Sequence, residues 1–376
     1  MKYYIKIALQ HYAMGLIIPI AIIWKLQNGL TLPQAVFTEA IVLLVTAIVD
    51  LPAGLIANVI NNKRSLVLGA LLHLLGMILL AAGSSFSVFF IAAIFTGAAW
   101  AFVSGADEAY IHDDYIENSD EYKKVFSSSV IIDELFTIIG MVSASLLIYL
   151  GLNLRILFII ASGLLFVHFL YAAIFLPSSK LLLATRVTKA TRLVTLGFLR
   201  NKVDLPIIFV MLAFAVVYEG LRPLWQPHMQ SIGIDIASFG LIFAGLKLAS
   251  LAGSIMARYR SFHKRDIAIT FLIMLVSFIS FGTSITVVSL IALCMYLFSE
   301  NYFRIYMSTV LNEMITSNRA AVLSLGSVIR NGAGALIIVF AGFISSSSIA
   351  LAFFVVAIIK LPAMFYVLRA HLRQRD

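Results

Sequence analysis

Residues 65–83 read SLVLGALLHLLGMILLAAG, an apolar run whose one ionisable side chain is His73. A bilayer's hydrocarbon core, about 30 Å thick, takes about 20 mostly apolar residues to cross as a helix. This run is long enough. Lys63 and Arg64 close one end, Ser84 and Ser85 close the other, and a second run opens at Phe86. Working outward, comparable runs occur at approximately 4–24, 33–57, 86–110, 126–149, 153–176, 204–229, 236–257, 266–284, 287–311, 320–344 and 348–368. With 65–83 they predict twelve spans. Nothing in hydrocarbon bonds a free backbone amide, so unbroken apolar runs of this length predict helices rather than barrel strands. The expected class is an all-α integral membrane protein.

Composition agrees. The chain has 376 residues, 61% hydrophobic and 12% charged, against about 45–50% and about 25% in soluble domains. A net charge of +9 raises the question of nucleic acid, but position answers it. Lys63–Arg64, Lys123–Lys124, Lys180 to Lys202, Arg258 to Arg265 and Arg369 to Arg375 fall in alternate loops or the tail. That is the positive-inside bias, and it predicts cytoplasmic termini with no nucleic-acid role. Lys2 and Lys6 precede the first run, which Gln10 and His11 interrupt with no small-residue cleavage site after it, so the first span is expected to stay in the membrane. Cys294 is expected to fill space between helices, and Lys360 to snorkel to the near interface.

The longest polar interval, 178–203, sets Lys180, Arg186, Lys189, Arg192, Arg200 and Lys202 among leucines and valines. It divides the chain into 1–177 and 204–376 and reads as an amphipathic cytoplasmic tether, with an irregular connector as the alternative. A shift of 197 lays Val125, Ser127, Ile132 and Asp133 over Val322, Ser324, Ile329 and Arg330. Gly54 with Lys63–Arg64 is likewise echoed by Gly253 with Lys264–Arg265, so duplication of a six-span half is expected.

Three motifs carry a resemblance. Between the second and third spans stands Gly54-Leu-Ile-Ala57-Asn58-Val-Ile-Asn61-Asn62-Lys63-Arg64. The fourth ends in Ser104-Gly105-Ala106-Asp107-Glu108-Ala109-Tyr110-Ile-His-Asp113. The eleventh is entered through Leu311-Asn312-Glu313 and Arg319-Ala320-Ala321-Val322-Leu323-Ser324. In this order they resemble the major facilitator superfamily, specifically its drug-efflux-like branch. The resemblance implies a transporter rather than an enzyme, without cofactor or resident metal, built as two pseudo-symmetric six-helix bundles. It also implies a cytoplasmic gating motif comprising Asp50, Gly54, Asn58, Lys63, Arg64, Glu108, Asp113 and Arg319. The pattern departs where Asn58 replaces an Asp and Asn61 a Gly, and Asp50, on the helix face of Gly54 and Asn58, becomes either a substitute partner for Lys63, Arg64 or Arg319 or a cap. The branch's fifth-helix antiporter run is replaced by Gly140-Met-Val-Ser-Ala-Ser145.

Ionisable groups at membrane depth cost about 2.5–3.5 kcal/mol each and mark function. Here they are Asp133, Glu134, Glu219, Arg222, Lys247, Glu300, Arg304 and Arg330, all on helices that the resemblance implies line or flank a cavity. Spacing predicts pairs Glu219–Arg222 and Glu300–Arg304, and Asp133 and Lys247 lie at matching depth. Glu300, then Glu219, Glu134 and Asp133, are the proton-coupling candidates. Arg222, Lys247, Arg304 and Arg330, with Tyr218, Tyr296 and Trp100, are charge-partner and substrate-cavity candidates. Trp24, Trp225 and Tyr302 are aromatics at the same depth, for which packing is the plainer reading.

His112, Asp113, Asp114 and Glu117 read as a solvated loop rather than a metal site, and His73 and His168 as histidines bonded to nearby backbone. Gly233, Gly240, Gly245 and Gly253 read as close-packing positions, with no phosphate-loop lysine. The resulting expectation is a monomeric, proton-coupled exporter of a small amphipathic organic compound in a prokaryotic plasma membrane, its partners being substrate, protons and lipid. The alternatives are a transporter of an anionic metabolite, working inward, and, of another class, an integral membrane enzyme or a non-transporting receptor.

Overall fold

Helix ends follow from identifiable residues. Thr31 and Gln34 form a reciprocal capping box, Thr31 N–H donating to Gln34 Oε1 (3.0 Å) and Gln34 N–H to Thr31 Oγ1 (3.4 Å). Asn153 Oδ1 accepts from Arg155 N–H at 2.6 Å. Gly29, Gly151 and Gly233 all take positive φ. Each closes a Schellman turn: Leu30 N–H reaches Lys25 O, Leu152 reaches Leu147 O and Ile234 reaches Met229 O.

The computed structural model describes residues 2–115, 119–177, 208–209, 211–212, 222–259, 264–314 and 319–374. They form α1 (Lys2–Ile17), α2 (Ala21–Gln27), α3 (Leu32–Ile60), α4 (Asn62–Ala82), α5 (Phe86–Tyr115), α6 (Ser119–Tyr149) and α7 (Leu154–Phe175). After these come α8 (Trp225–Ser231), a short 3-10 turn (Ile236–Ser238), α9 (Phe239–Tyr259), α10 (Lys264–Phe281), α11 (Thr286–Met314), α12 (Arg319–Ser345) and α13 (Ile349–Gln374).

Eight described helices are long and apolar enough to cross a membrane; α1 and α2, bent by 47°, make a ninth if counted as one span. The protein is an all-helical, multi-pass membrane protein. Helices match the expected spans except for the seventh, of which α8 is the described end. The linker 178–203 lies outside the described residues, as do Tyr218 and Glu219.

The chain forms two compact units. In the first, α4 packs on α5 and α7, and α1 on α6 and α7; in the second, α10 packs on α11 and α13, and α12 on α13. Thr31–Ala40 belongs to the second unit and Ile236–Leu241 to the first.

A sign of duplication appears that the sequence comparison did not use. The seven-residue helices α2 and α8 each follow a proline, Pro19 or Pro223, and each end in a Schellman glycine, Gly29 or Gly233. Both pairs are 204 positions apart (19 to 223, 29 to 233), against 197 for the later echo, so the repeat has shifted register between the two places.

Candidate functional site

In the first unit, α1 and α6 cross at glycine. A Cβ on Gly15 would overlap the Thr137 carbonyl, and one on Gly140 the Tyr12 carbonyl, so only hydrogen at both positions permits this approach. The crossing brings His11, one turn before Gly15, against α6. His11 Nδ1 lies 2.5 Å from Asp133 Oδ1, with the two side chains 19% and 39% exposed. Thr137 Oγ1 is within reach of both, 3.3 Å from Asp133 Oδ1 and 3.4 Å from His11 Nδ1. Tyr12 O–H donates to Ser143 Oγ at 3.3 Å. Asp133 lies eight residues into the apolar span Val125–Tyr149, about 12 Å at 1.5 Å per residue. A carboxylate and an imidazole therefore meet at membrane depth, neither of them fully buried.

A second polar group ties α1 to α5. Lys6 Nζ donates to Asp107 Oδ1 (2.7 Å) and Oδ2 (2.9 Å), and Tyr3 O–H donates to Oδ1 (3.0 Å). The Lys6 side chain is 1% exposed. Tyr3 stacks on Tyr110, whose O–H donates to Pro177 O at 3.0 Å, so the ends of α1, α5 and α7 are fastened together. His168 bonds the backbone as expected, through Nδ1 to Lys6 O at 3.0 Å. His73 does not. Neither of its ring nitrogens has a hydrogen-bond partner among the described residues, and its ring meets Trp100 edge-on.

The second unit has its own polar interior. Lys360 does not snorkel: it is 1% exposed, donates to Tyr296 O–H at 2.8 Å and lies 4.1 Å from the Phe278 ring centroid. Its helix face meets aromatic side chains, and an ammonium there is held by a hydroxyl and π faces. Tyr296 is correspondingly buried, a packing residue rather than an open cavity wall. On α11, Asn301 Nδ2 donates to Ser250 O (2.7 Å) and Ser254 Oγ (2.6 Å). Gly253 meets the Phe298 carbonyl so closely that a Cβ would overlap it.

Glu300 sits beside this clamp, buried. Arg304 is exposed and makes no ion pair among the described residues, so the expected Glu300–Arg304 pair is not formed: the long guanidinium stem carries its charge outward while Glu300 stays inside. Lys247 and Arg330 are half-buried; Arg222 and Glu134 are exposed.

The gating motif is partly described. Asp50 accepts from Ser104 Oγ at 3.1 Å and makes no ion pair among the described residues. Asn61 is the one non-glycine with positive φ (80°) among the described residues, and its side chain caps α4 by accepting from Arg64 N–H at 2.9 Å. At φ 80° and ψ 160° the backbone is one that glycine adopts freely and other residues rarely, so Asn61 stands where a glycine would be unstrained and adds a cap. Gly54 is exposed. The side chains of Asn58, Glu108, Asp113 and Arg319 lie outside the described residues.

Cys294 is exposed, which overturns its reading as a space-filler. Of the glycines, Gly240 and Gly253 make the close approaches expected, Gly245 faces open space, and Gly233 serves a turn. Trp24 donates to Leu80 O at 2.7 Å and stacks on Phe158, and Trp225 stacks on Phe243, so both pack helices.

His11 and Lys6 escaped the sequence reading because each was weighed as an interruption or a topological charge. A usable signal was present. Tyr3, Lys6 and Gln10 recur at helical spacing, a polar stripe in a span that needs none.

The family model described as Major Facilitator Superfamily matches residues 5–300. The chain belongs to the major facilitator superfamily. No curated protein sequence matches it. Solved members of similar fold include the nucleoside transporter NupG, with 14% identity, TM-score 0.77 and 98% of each chain covered. Another is a D-xylose–proton symporter, with 14% identity, TM-score 0.73, and 97% of this chain and 95% of that one covered. A bacterial homologue of the human lysosomal transporter Spinster aligns with 14% identity, TM-score 0.75, and coverage of 98% and 95%. At such identity the likeness concerns the superfamily fold. Superfamily membership makes this chain a membrane transporter rather than an enzyme.

Proposed function

We propose that the chain is a proton-coupled secondary transporter that exports a small amphipathic organic compound by antiport. It works as a monomer in a prokaryotic plasma membrane with both termini cytoplasmic. The chain is organised as two six-helix halves, 1–177 and 204–376, with 178–203 as linker, and works by alternating access.

The observation that carries proton coupling is the His11–Asp133 pair. Imidazole is the side chain whose charge changes near neutral pH. A carboxylate beside it exchanges a proton whenever conformational change makes or breaks their contact. Glu300, buried on α11, is the second coupling candidate, and Glu219 and Glu134 follow. The cavity candidates remain Arg222, Lys247, Arg304, Arg330, Tyr218 and Trp100.

Transport of an anionic metabolite is the second reading. It is favoured by Arg304, an exposed guanidinium without an ion pair among the described residues.

The test begins with thermal stabilisation of purified protein by lipophilic cations, neutral drugs and organic anions, since a specific ligand stabilises by mass action. The stabilising solute is then followed in proteoliposomes under an imposed pH gradient. Asp133→Asn is expected to abolish gradient-driven accumulation while leaving solute exchange measurable. Wild-type gradient dependence in both Asp133→Asn and Glu300→Gln would overturn proton coupling at these sites. Stabilisation by anions alone would replace the amphipathic substrate with the anionic one.

A further inference from the structure

A groove of about 500 Å³ runs between α4 and α7, lined by Asn61, Lys63, Arg64, Val67, Leu68, Leu71, Phe169 and Ala173. Its composition is graded along the helix axis. Asn61, Lys63 and Arg64 stand at the start of α4, and every other wall residue is apolar. Lys63 and Arg64 make no ion pair among the described residues, and no carboxylate is among the wall residues. The same two helices present Leu75, Ile78, Phe166, Val167, Leu170 and Ile174 outward, all exposed. In a membrane protein such a face meets acyl chains.

We propose that this groove is a binding site for one anionic phospholipid. Its phosphate sits at Lys63 and Arg64, and one acyl chain runs along Val67, Leu71, Phe169 and Ala173. Charge complementarity selects the headgroup: two cations uncompensated by any lining acid attract an anion and give a zwitterionic lipid little net gain. The apolar wall selects a lipid over a free anion, because an inorganic phosphate would leave the hydrocarbon-lined length of the groove unused. The topology expected from the basic loops places the charged mouth at the cytoplasmic leaflet, where anionic lipids collect. The site would link membrane composition to the gating loop, since Lys63 and Arg64 follow directly on Asn61, the turn between α3 and α4.

The experiment uses the full-length protein in nanodiscs of phosphatidylcholine doped with phosphatidylglycerol, read by native mass spectrometry of retained lipid and by thermal unfolding. Phosphatidylglycerol is expected to raise the unfolding temperature and phosphatidylcholine alone not to. Lys63→Gln with Arg64→Gln is expected to weaken the retained-lipid affinity about 30-fold, from about 1 kcal/mol for each basic residue near an anionic surface. Ala173→Trp, which fills the apolar wall with both charges intact, is expected to remove the retained lipid as well. Three results would each overturn the proposal: equal stabilisation by phosphatidylcholine, full stabilisation by inorganic phosphate in detergent, or unchanged lipid retention in both variants.

Discussion

Asp107→Ala should be among the most damaging single substitutions in the first unit. Lys6 has a side chain only 1% exposed and both Asp107 oxygens within 2.9 Å. Removing the carboxylate strands an ammonium where water cannot reach it, and breaking a buried pair in this way costs about 3–5 kcal/mol. Lys6→Met is milder. Asp107 is 24% exposed, so its carboxylate turns to solvent and keeps Tyr3, and the loss is about 1.5–3 kcal/mol, that of a charge-assisted hydrogen bond. Replacing both together, Lys6→Met with Asp107→Leu, leaves no stranded charge, and such apolar substitutions of an ion pair are about neutral. With Asp107→Leu, which strands the same ammonium, as the matching single variant, the double-mutant cycle predicts an interaction energy of about 4.5 kcal/mol or more, the sum of the two single losses, measured by equilibrium unfolding in mixed micelles. An Asp107→Ala loss below about 1 kcal/mol, the range of surface pairs, or fully additive losses, would refute the reasoning.

Three further outcomes are expected from the same unfolding assay. Gly253→Ala should cost about 1–3 kcal/mol because its methyl overlaps the Phe298 carbonyl, whereas Gly245→Ala, in open space, should gain up to about 1 kcal/mol of helix propensity; equal effects would mean that α9 and α11 do not approach at Gly253. Asn61→Gly should lose a few tenths of a kcal/mol of capping but relieve about 1 kcal/mol or more of backbone strain at φ 80°, ψ 160°, and so be neutral to stabilising, while Asn61→Ala keeps the strained Cβ and should lose about 1 kcal/mol of cap; the reverse order would count against this backbone at Asn61. Tyr296→Phe should cost about 0.5–1.5 kcal/mol by removing one hydrogen bond of Lys360, and much less on a Lys360→Met background, a difference whose absence would mean that the two do not interact.

The motifs shared with the superfamily are legible as strings, but their contacts are not. Asp50 stands out in the sequence as a polar residue on a motif-bearing helix face. Its acceptor role toward Ser104 depends on how α3 and α5 lie together, which no spacing within α3 specifies. Glu300 and Arg304 illustrate the opposite error. An i,i+4 interval permits a pair but does not require one, and here the two side chains part, one inward and one outward. Lys360 was assigned to the interface by its distance from the end of a span, yet the aromatic residues Phe278 and Tyr296 from two other helices enclose it.

By itself the sequence determined the class of the protein, the position of nearly every span, the likeness to a transporter superfamily and the presence of costly charges in the membrane. These follow from local physics: apolar length sets what crosses hydrocarbon, and backbone amides there have no partner but their own helix. Only the tertiary structure decided which charges meet. His11 reaches Asp133 because Gly15 and Gly140 let two helices touch, and Lys6 finds Asp107 about a hundred residues away. A side chain's partner is fixed by packing between helices, and that information is spread over every residue that sets how closely and at what angle they cross.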